Sequence, residues 1–100
     1  MALPTITPIA PTRIRAPFEH ADWIFELKLD GFRALAYVED NQCRLVSRRG
    51  HLYKAFGQLA AAIAESLKGH SAILDGEILC LNERGEPQFT RLLYRRDAWF

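Results

Sequence analysis

The sequence has little of what marks a specialised environment. Its two cysteines, Cys43 and Cys80, lie far apart without Cys-x-x-Cys spacing. That argues against a disulfide framework or a zinc ribbon and for free thiols in a cytoplasmic protein. The three histidines, His20, His51 and His70, show no metal-ligand spacing and read as surface or structural positions. No apolar run is long enough to suggest a membrane span. The N-terminus lacks the basic stretch and long apolar core of a signal peptide. An excess of one charge is also missing: 13 Lys and Arg against 12 Asp and Glu leave a formal net charge of +1. Any polyanion-binding surface must therefore come from local clustering rather than the total.

What is present is an ordinary domain. One hundred residues, 49% hydrophobic and 25% charged, suffice for one domain with a moderate core. Four of the five prolines (Pro4, Pro8, Pro11 and Pro17) fall in residues 1–17, which makes that stretch an extended arm rather than a central strand. Arg13 and Arg15 on this arm either touch a polyanion or are solvated. Residues 18–100 carry the folding signals. Alternation predicts strands at Trp23–Leu29, Phe32–Glu39 and Cys43–Ser47, the last two joined by a two-residue turn at Asp40-Asn41, and together these make a three-stranded meander. Phe56, Leu59, Ile63 and Leu67 form one stripe of a helix over Ala55–Lys68, with Gly69 at its C-terminus. A further strand spans Ser71–Leu81. A short helix follows over Phe89–Arg96, with Phe89, Leu92 and Leu93 inward and Arg91, Arg95 and Arg96 adding charge. The fold class that follows is α+β, an antiparallel sheet with one main helix on one face.

Three stretches carry chemistry. In the first predicted strand Phe25, Leu27 and Leu29 share one face, and Glu26, Lys28 and Asp30 share the other. An amphipathic strand with a solvated face explains this pattern, and so does a nucleophilic lysine. A lysine attacks phosphorus only as the free amine. Flanking carboxylates favour the ammonium, so bound positive charge, from Arg33 and a metal on a nucleotide, has to oppose them. Gly31 permits a turn that a Cβ would obstruct. In the second stretch, Ser47-Arg48-Arg49-Gly50, two guanidinium forks sit between a hydroxyl and a glycine; this is a basic loop or an anion site. In the third, Asp75-Gly76-Glu77, two carboxylates interrupt an apolar strand. This is either a polar bend at a sheet edge or a cation site, with the glycine marking a bulge or the close approach of a ligand.

Lys28-Leu29-Asp30-Gly31-Phe32-Arg33 resembles the Lys-x-Asp-Gly-x-Arg motif of the covalent nucleotidyltransferases, which comprise ATP-dependent DNA ligases, RNA ligases and capping enzymes. Ser47, Arg48 and Gly50 match a Ser/Thr-Arg-x-Gly element of the ligases, Asp75-Gly76-Glu77 matches an Asp-Gly-Glu motif, and Phe89, Leu92 and Arg95 fit a looser Phe-x-x-Leu-x-x-Arg spacing. In order and separation they look most like bacterial ligase domains linked to end joining, over residues 18–96.

The resemblance implies the ligase adenylation fold and a lysyl-AMP intermediate on Lys28, with Asp30 orienting the amine. It also implies a pocket in which Glu26 lines the adenine side, Arg33 the ribose side, Arg48 a phosphate and Glu77 the ribose or a metal. ATP and Mg²⁺ are the implied cofactors, and nicked or broken double-stranded DNA is the implied partner. The family's downstream motifs have no counterpart here. The resemblance therefore implies an incomplete adenylation domain over residues 18–100, completed by a longer parent or a second chain. The rivals are a ligase-like nucleotide- or DNA-binding module without turnover and an RNA ligase or capping-type nucleotidyltransferase.

Overall fold

Strand β1 (Phe32–Glu39) and strand β2 (Gln42–Ser47) form a hairpin around Asp40 and Asn41. Both turn residues take positive φ, 52° and 59°. This is the turn handedness that matches the right-handed twist of the flanking strands, and Asn and Asp tolerate it better than other side chains. The computed structural model describes residues 2–26, 28–93 and 98–100. Helix α1 (Gly57–Ser66) follows the hairpin, and strand β3 (Ala72–Cys80) then returns along the other edge of β1. Helix α2 (Phe89–Leu93) precedes the two-residue strand β4 (Ala98–Trp99) on β3. The sheet order is β2-β1-β3-β4, with each neighbouring pair antiparallel.

This order corrects the expected meander. Residues 22–26 and 28–30 form no strand, and Ile24, Phe25 and Leu29 are 87%, 63% and 43% exposed. β1 has only two edges, and β2 and β3 occupy both, so the alternating segment finds no edge of β1 to pair with. Leu27 in its apolar row lies outside the described residues, as do Arg95 and Arg96 of the expected last helix. In α2 only Leu92 is buried; Phe89 and Leu93 are about half exposed. The carboxylates of β3 cause no bulge: Glu77, Gly76 and Asp75 pair in unbroken register with Arg33, Ala34 and Leu35. Both project from one face instead of sitting inside a buried strand.

Paired residues share a face, so the register divides the sheet cleanly. One face carries Ala34, Ala36, Leu45, Ile78 and Cys80, which pack with Phe56 and Leu92 into the core. Leu59, Ala60 and Ile63 of α1 close over it, as the stripe predicted. Each fully buried leucine or isoleucine here contributes roughly 1.5–3 kcal/mol. Gly69 ends the helical region at φ 83° and donates its amide to Asn41 Oδ1 at 2.8 Å, tying the helix end to the hairpin turn.

The opposite face carries Arg33, Leu35, Tyr37 and Glu39, and the proline-rich arm lies along it. The Leu3 amide donates to Glu39 Oε2 at 3.1 Å and the Ile6 amide to the Tyr37 hydroxyl at 3.2 Å. Arg33 Nη1 donates to the Ile9 carbonyl. Under this strap Leu35 and Tyr37 are buried. Among the described residues no helix is long and apolar enough to cross a membrane.

Candidate active site

Phe32 and Arg33 are neighbours in β1 and so point to opposite faces, and this anchors the start of the site from both sides. Phe32 enters an aromatic group on the core face, 5.8 Å from Phe89 edge-on and 6.3 Å from Tyr53 in parallel. Such contacts add roughly 0.5–1.5 kcal/mol each beyond burial. Tyr53 also donates its hydroxyl to the Arg33 carbonyl at 3.0 Å, which fixes the backbone at this point.

Arg33 forms a two-pronged pair with Asp75: Nε to Oδ1 at 3.1 Å and Nη2 to Oδ2 at 2.7 Å. This hydrogen bonding holds the Asp75 carboxyl below its ordinary range and raises the Arg33 guanidinium. Glu77 sits directly across from Arg33 in the ladder. Partial burial pushes its carboxyl up, with Arg33 opposing that rise and the charges of Asp75 and Asp30 adding to it. Glu77 in turn helps burial raise the Tyr53 phenol.

Gly31 explains how the lysine segment reaches this strand. A Cβ there would lie 2.2 Å from the Ile78 carbonyl oxygen and 2.7 Å from Leu79 Cδ2, so only glycine lets the chain lie against β3 beside Glu77. Just before it, Lys28 Nζ stands 3.4 Å from Asp30 Oδ1, with both side chains largely exposed. The result is a cavity of about 520 Å³ lined by Lys28, Leu29, Asp30, Gly31, Glu77 and Phe89. An adjoining cavity of about 480 Å³ shares Gly31 and Glu77 with it and adds Arg33, Arg48, Arg49, His51 and Tyr53. Each is in the size range of small-molecule sites.

Arg48 and Arg49 reach the second cavity because Ser47 pairs with Ala34, one residue past Arg33 in β1. A tight turn then presents them: Gly50, at φ 89°, donates its amide to the Ser47 carbonyl at 2.9 Å, and the His51 amide donates to Ser47 Oγ at 3.1 Å.

The structure thus gathers Lys28, Asp30, Arg33, Arg48 and Glu77 around two adjoining cavities. Glu26 is exposed and lines neither. Sequence reasoning did not single out Tyr53 and read His51 as surface or structural; His51 is exposed and lines the second cavity. The available signal was an antiparallel continuation of β2, in which Val46 bridges Leu52 and the Tyr53 amide donates to the Leu45 carbonyl.

Comparison with known proteins identifies the family. Residues 7–98 match the ATP dependent DNA ligase domain family. The multifunctional non-homologous end joining protein LigD of Pseudomonas aeruginosa is 40% identical over 72 residues, which are 71% of this chain and 8% of that protein. DNA ligase C1 of Mycolicibacterium smegmatis is 36% identical over 84 residues, 79% of this chain and 24% of the relative. Among solved structures, a mycobacterial DNA ligase D complexed with ATP and MES superposes with a TM-score of 0.64 at 39% identity, over 73% of this chain and 25% of that one. The ligase domain of Mycobacterium tuberculosis LigD superposes equally well, at 36% identity over 74% of this chain and 25% of that one. The chain spans at most about a quarter of these relatives. By the family match over nearly its whole length, it belongs to the ATP-dependent DNA ligase domain family.

Proposed function

We propose that this chain carries the nucleophile and part of the nucleotide pocket of a DNA ligase adenylation site of the end-joining type. The observation that supports this most directly is the shared cavity of Lys28, Asp30 and Glu77 beside the arginines of the second cavity. In this reading Lys28 Nζ attacks the α-phosphorus of ATP. A P–N bond forms, the bond to pyrophosphate breaks, and the lysine yields a proton. Asp30 holds the amine in place at 3.4 Å. Arg33, oriented by Asp75, faces the ribose side and Arg48 takes a phosphate. Fixed cationic donors around the transferring phosphoryl group supply most of the rate enhancement in such chemistry. The adenylate then passes to a 5′-phosphate of nicked or broken DNA, and the 3′-hydroxyl displaces AMP.

Mg²⁺ fits the donors present. Among the described residues no group of three or more His, Cys, Asp or Glu is placed to hold a metal alone. Mg²⁺ instead suits one or two carboxylates completed by phosphate oxygens. Glu77, raised by burial and facing the Asp30 charge, is a carboxylate that a cation would relieve. When bound, the ion would neutralise phosphate charge.

The test is intact-mass measurement after incubation with Mg²⁺ and ATP, with Lys28→Ala alongside. An AMP adduct on the wild type alone is the expected result. A folded wild type without an adduct would move the chain to a binding role without turnover, and an adduct on both proteins would place the nucleophile elsewhere.

A further inference from the structure

Strand β2 leaves β1 one rung early. The two-residue turn at Asp40-Asn41 makes Glu39 and Gln42 a hydrogen-bonded pair. Counting back by twos, Tyr37 opposite Arg44 and Leu35 opposite Val46 also exchange backbone bonds with β2. Arg33 is next, and its partner would be Arg48. The register with β2 ends before that, at Ala34 opposite Ser47, while β3 follows β1 on to Phe32. Arg48 has instead entered the tight turn closed by the Gly50 amide, where it lines the second cavity. The Arg33 carbonyl therefore faces β2 with no rung to accept.

Tyr53 fills that gap. After the turn the chain runs back along the outer edge of β2, where the Tyr53 amide donates to the Leu45 carbonyl at 2.8 Å. From there the phenol reaches across to the Arg33 carbonyl at 3.0 Å. Its ring is aimed by two neighbours, lying within 3° of parallel to Phe32 and edge-on to Phe56 at 5.7 Å. The bond lands two residues past Gly31, where the lysine segment meets β3.

We infer that Tyr53 is a positioning residue: through the Arg33 carbonyl it replaces the rung that β2 gives up, and so holds the Lys28–Arg33 segment against β3. Its bearing on the chemistry rests on the ligase reading of Lys28. The arrangement resolves a conflict between two demands on β2. Arg48 is released to the cavity, and the start of β1 still keeps a bond on each edge. Tyr53 also lines the second cavity, so direct contact with the nucleotide is the rival role. The two differ in kinetics. A group that places the nucleophile changes the rate at saturating ATP, and a group that only binds nucleotide changes the ATP concentration required.

The experiment compares Tyr53→Phe, which keeps the ring and removes the donor, with Phe56→Leu, which weakens the same aromatic group and keeps the donor. Two quantities are read: the rate of adduct formation with Mg²⁺ and ATP by intact mass, and hydrogen exchange at the Phe32 and Ala34 amides, which by the same alternation face β3. In Tyr53→Phe those amides should exchange about tenfold faster, the scale of one lost hydrogen bond. The adduct should form about tenfold more slowly at saturating ATP, with the half-saturating concentration within about twofold of wild type. Phe56→Leu should melt at a lower temperature than Tyr53→Phe, yet keep the wild-type rate well below its own melting point.

Wild-type exchange at Phe32 and Ala34 in Tyr53→Phe would overturn the inference. So would a rate that simply follows melting temperature across the two variants, which would make Tyr53 a packing residue. A loss confined to the ATP concentration required would make it a binding residue and overturn it as well. The two readings fail separately. Faster exchange in Tyr53→Phe, with no adduct on the wild type, keeps the brace and sinks the lysine. An adduct on the wild type, with exchange and rate unchanged in Tyr53→Phe, keeps the lysine and sinks the brace.

Discussion

Glu77 and Lys28 line one cavity but are held in opposite ways. Glu77 stands on β3, inside a ladder of seven paired positions with β1, and its neighbours Ile78, Leu79 and Cys80 are buried. Lys28 stands on a segment without strand pairing, among exposed Ile24, Phe25 and Leu29, and its own side chain is 84% exposed. One half of the site is scaffold and the other is laid against it. On the proposed reading, a nucleophile that takes up an adenylyl group and later passes it on is carried on the less secured half, where local opening disturbs few buried contacts. The comparison also identifies the joint. Gly31 is where the lysine segment meets β3, and it fits only because it has no side chain.

The largest effect should come from that joint. In Gly31→Ala the new methyl would meet the Ile78 carbonyl, which is backbone and cannot swing aside. We expect about 3 kcal/mol of destabilisation in urea unfolding and a roughly hundredfold fall in adduct formation, the scale of an ångström-sized misplacement. Gly76→Ala makes the control. There the Cβ meets only the ring of Phe100 at 2.9 Å, a side chain that can turn, so the loss should stay within about 1 kcal/mol. If Gly31→Ala kept full stability and lost only the adduct, the lysine segment would be independent of the sheet, and the joint would be refuted.

The legibility of the molecule follows the same division. The hairpin, the α1 stripe and β3 were visible because each is decided locally: Asp40-Asn41 favours the turn, and Phe56, Leu59 and Ile63 repeat at helical spacing. The lysine segment alternates like a strand yet is none, because pairing requires an edge, and edge occupancy depends on residues forty positions away. The same distance hid the partner of Arg33. Residue types and order brought Lys28, Asp30, Arg33, Arg48 and Glu77 to notice. Only the three-dimensional structure showed that Arg33 bonds Asp75, diagonal to it in the ladder, that the arm covers the polar face, and that Tyr53 holds the Arg33 carbonyl. Glu26, read from an alternation that does not persist as a strand, lies outside both cavities.

A smaller effect tests how the scaffold half orients its arginine. The Arg33–Asp75 pair is two-pronged but partly exposed, with 23% and 46% of the side chains accessible. A double-mutant cycle with Arg33→Ala and Asp75→Ala should give a coupling of about 1 kcal/mol, toward the upper end for surface pairs. The Asp75 carboxyl is lowered in the fold, so its contribution is present above the ordinary carboxylate value of 3.8 and is lost as pH falls through the folded value. Urea unfolding from pH 7 down to about pH 3 checks this. Coupling that grows toward low pH would show that the pair does not hold the strand in this way.

Glu77 gives the smallest effect, with the opposite sign. Its carboxyl is raised above the ordinary 4.5, first by burial and then by Asp75 and Asp30, although Arg33 opposes them. A raised acid contributes its stability below the unfolded value and loses it as pH climbs through the folded one. At neutral pH the charge on Glu77 therefore costs the fold. Glu77→Gln should be slightly more stable than the wild type at pH 7, with the gap closing toward pH 4, while adduct formation falls. Thermal unfolding at the two pH values reads the first part and intact mass the second. A site residue whose removal helps the fold and harms the chemistry is what a carboxylate reserved for a cation and a nucleotide should show. A glutamine variant less stable at pH 7 would instead make Glu77 part of the scaffold it stands on.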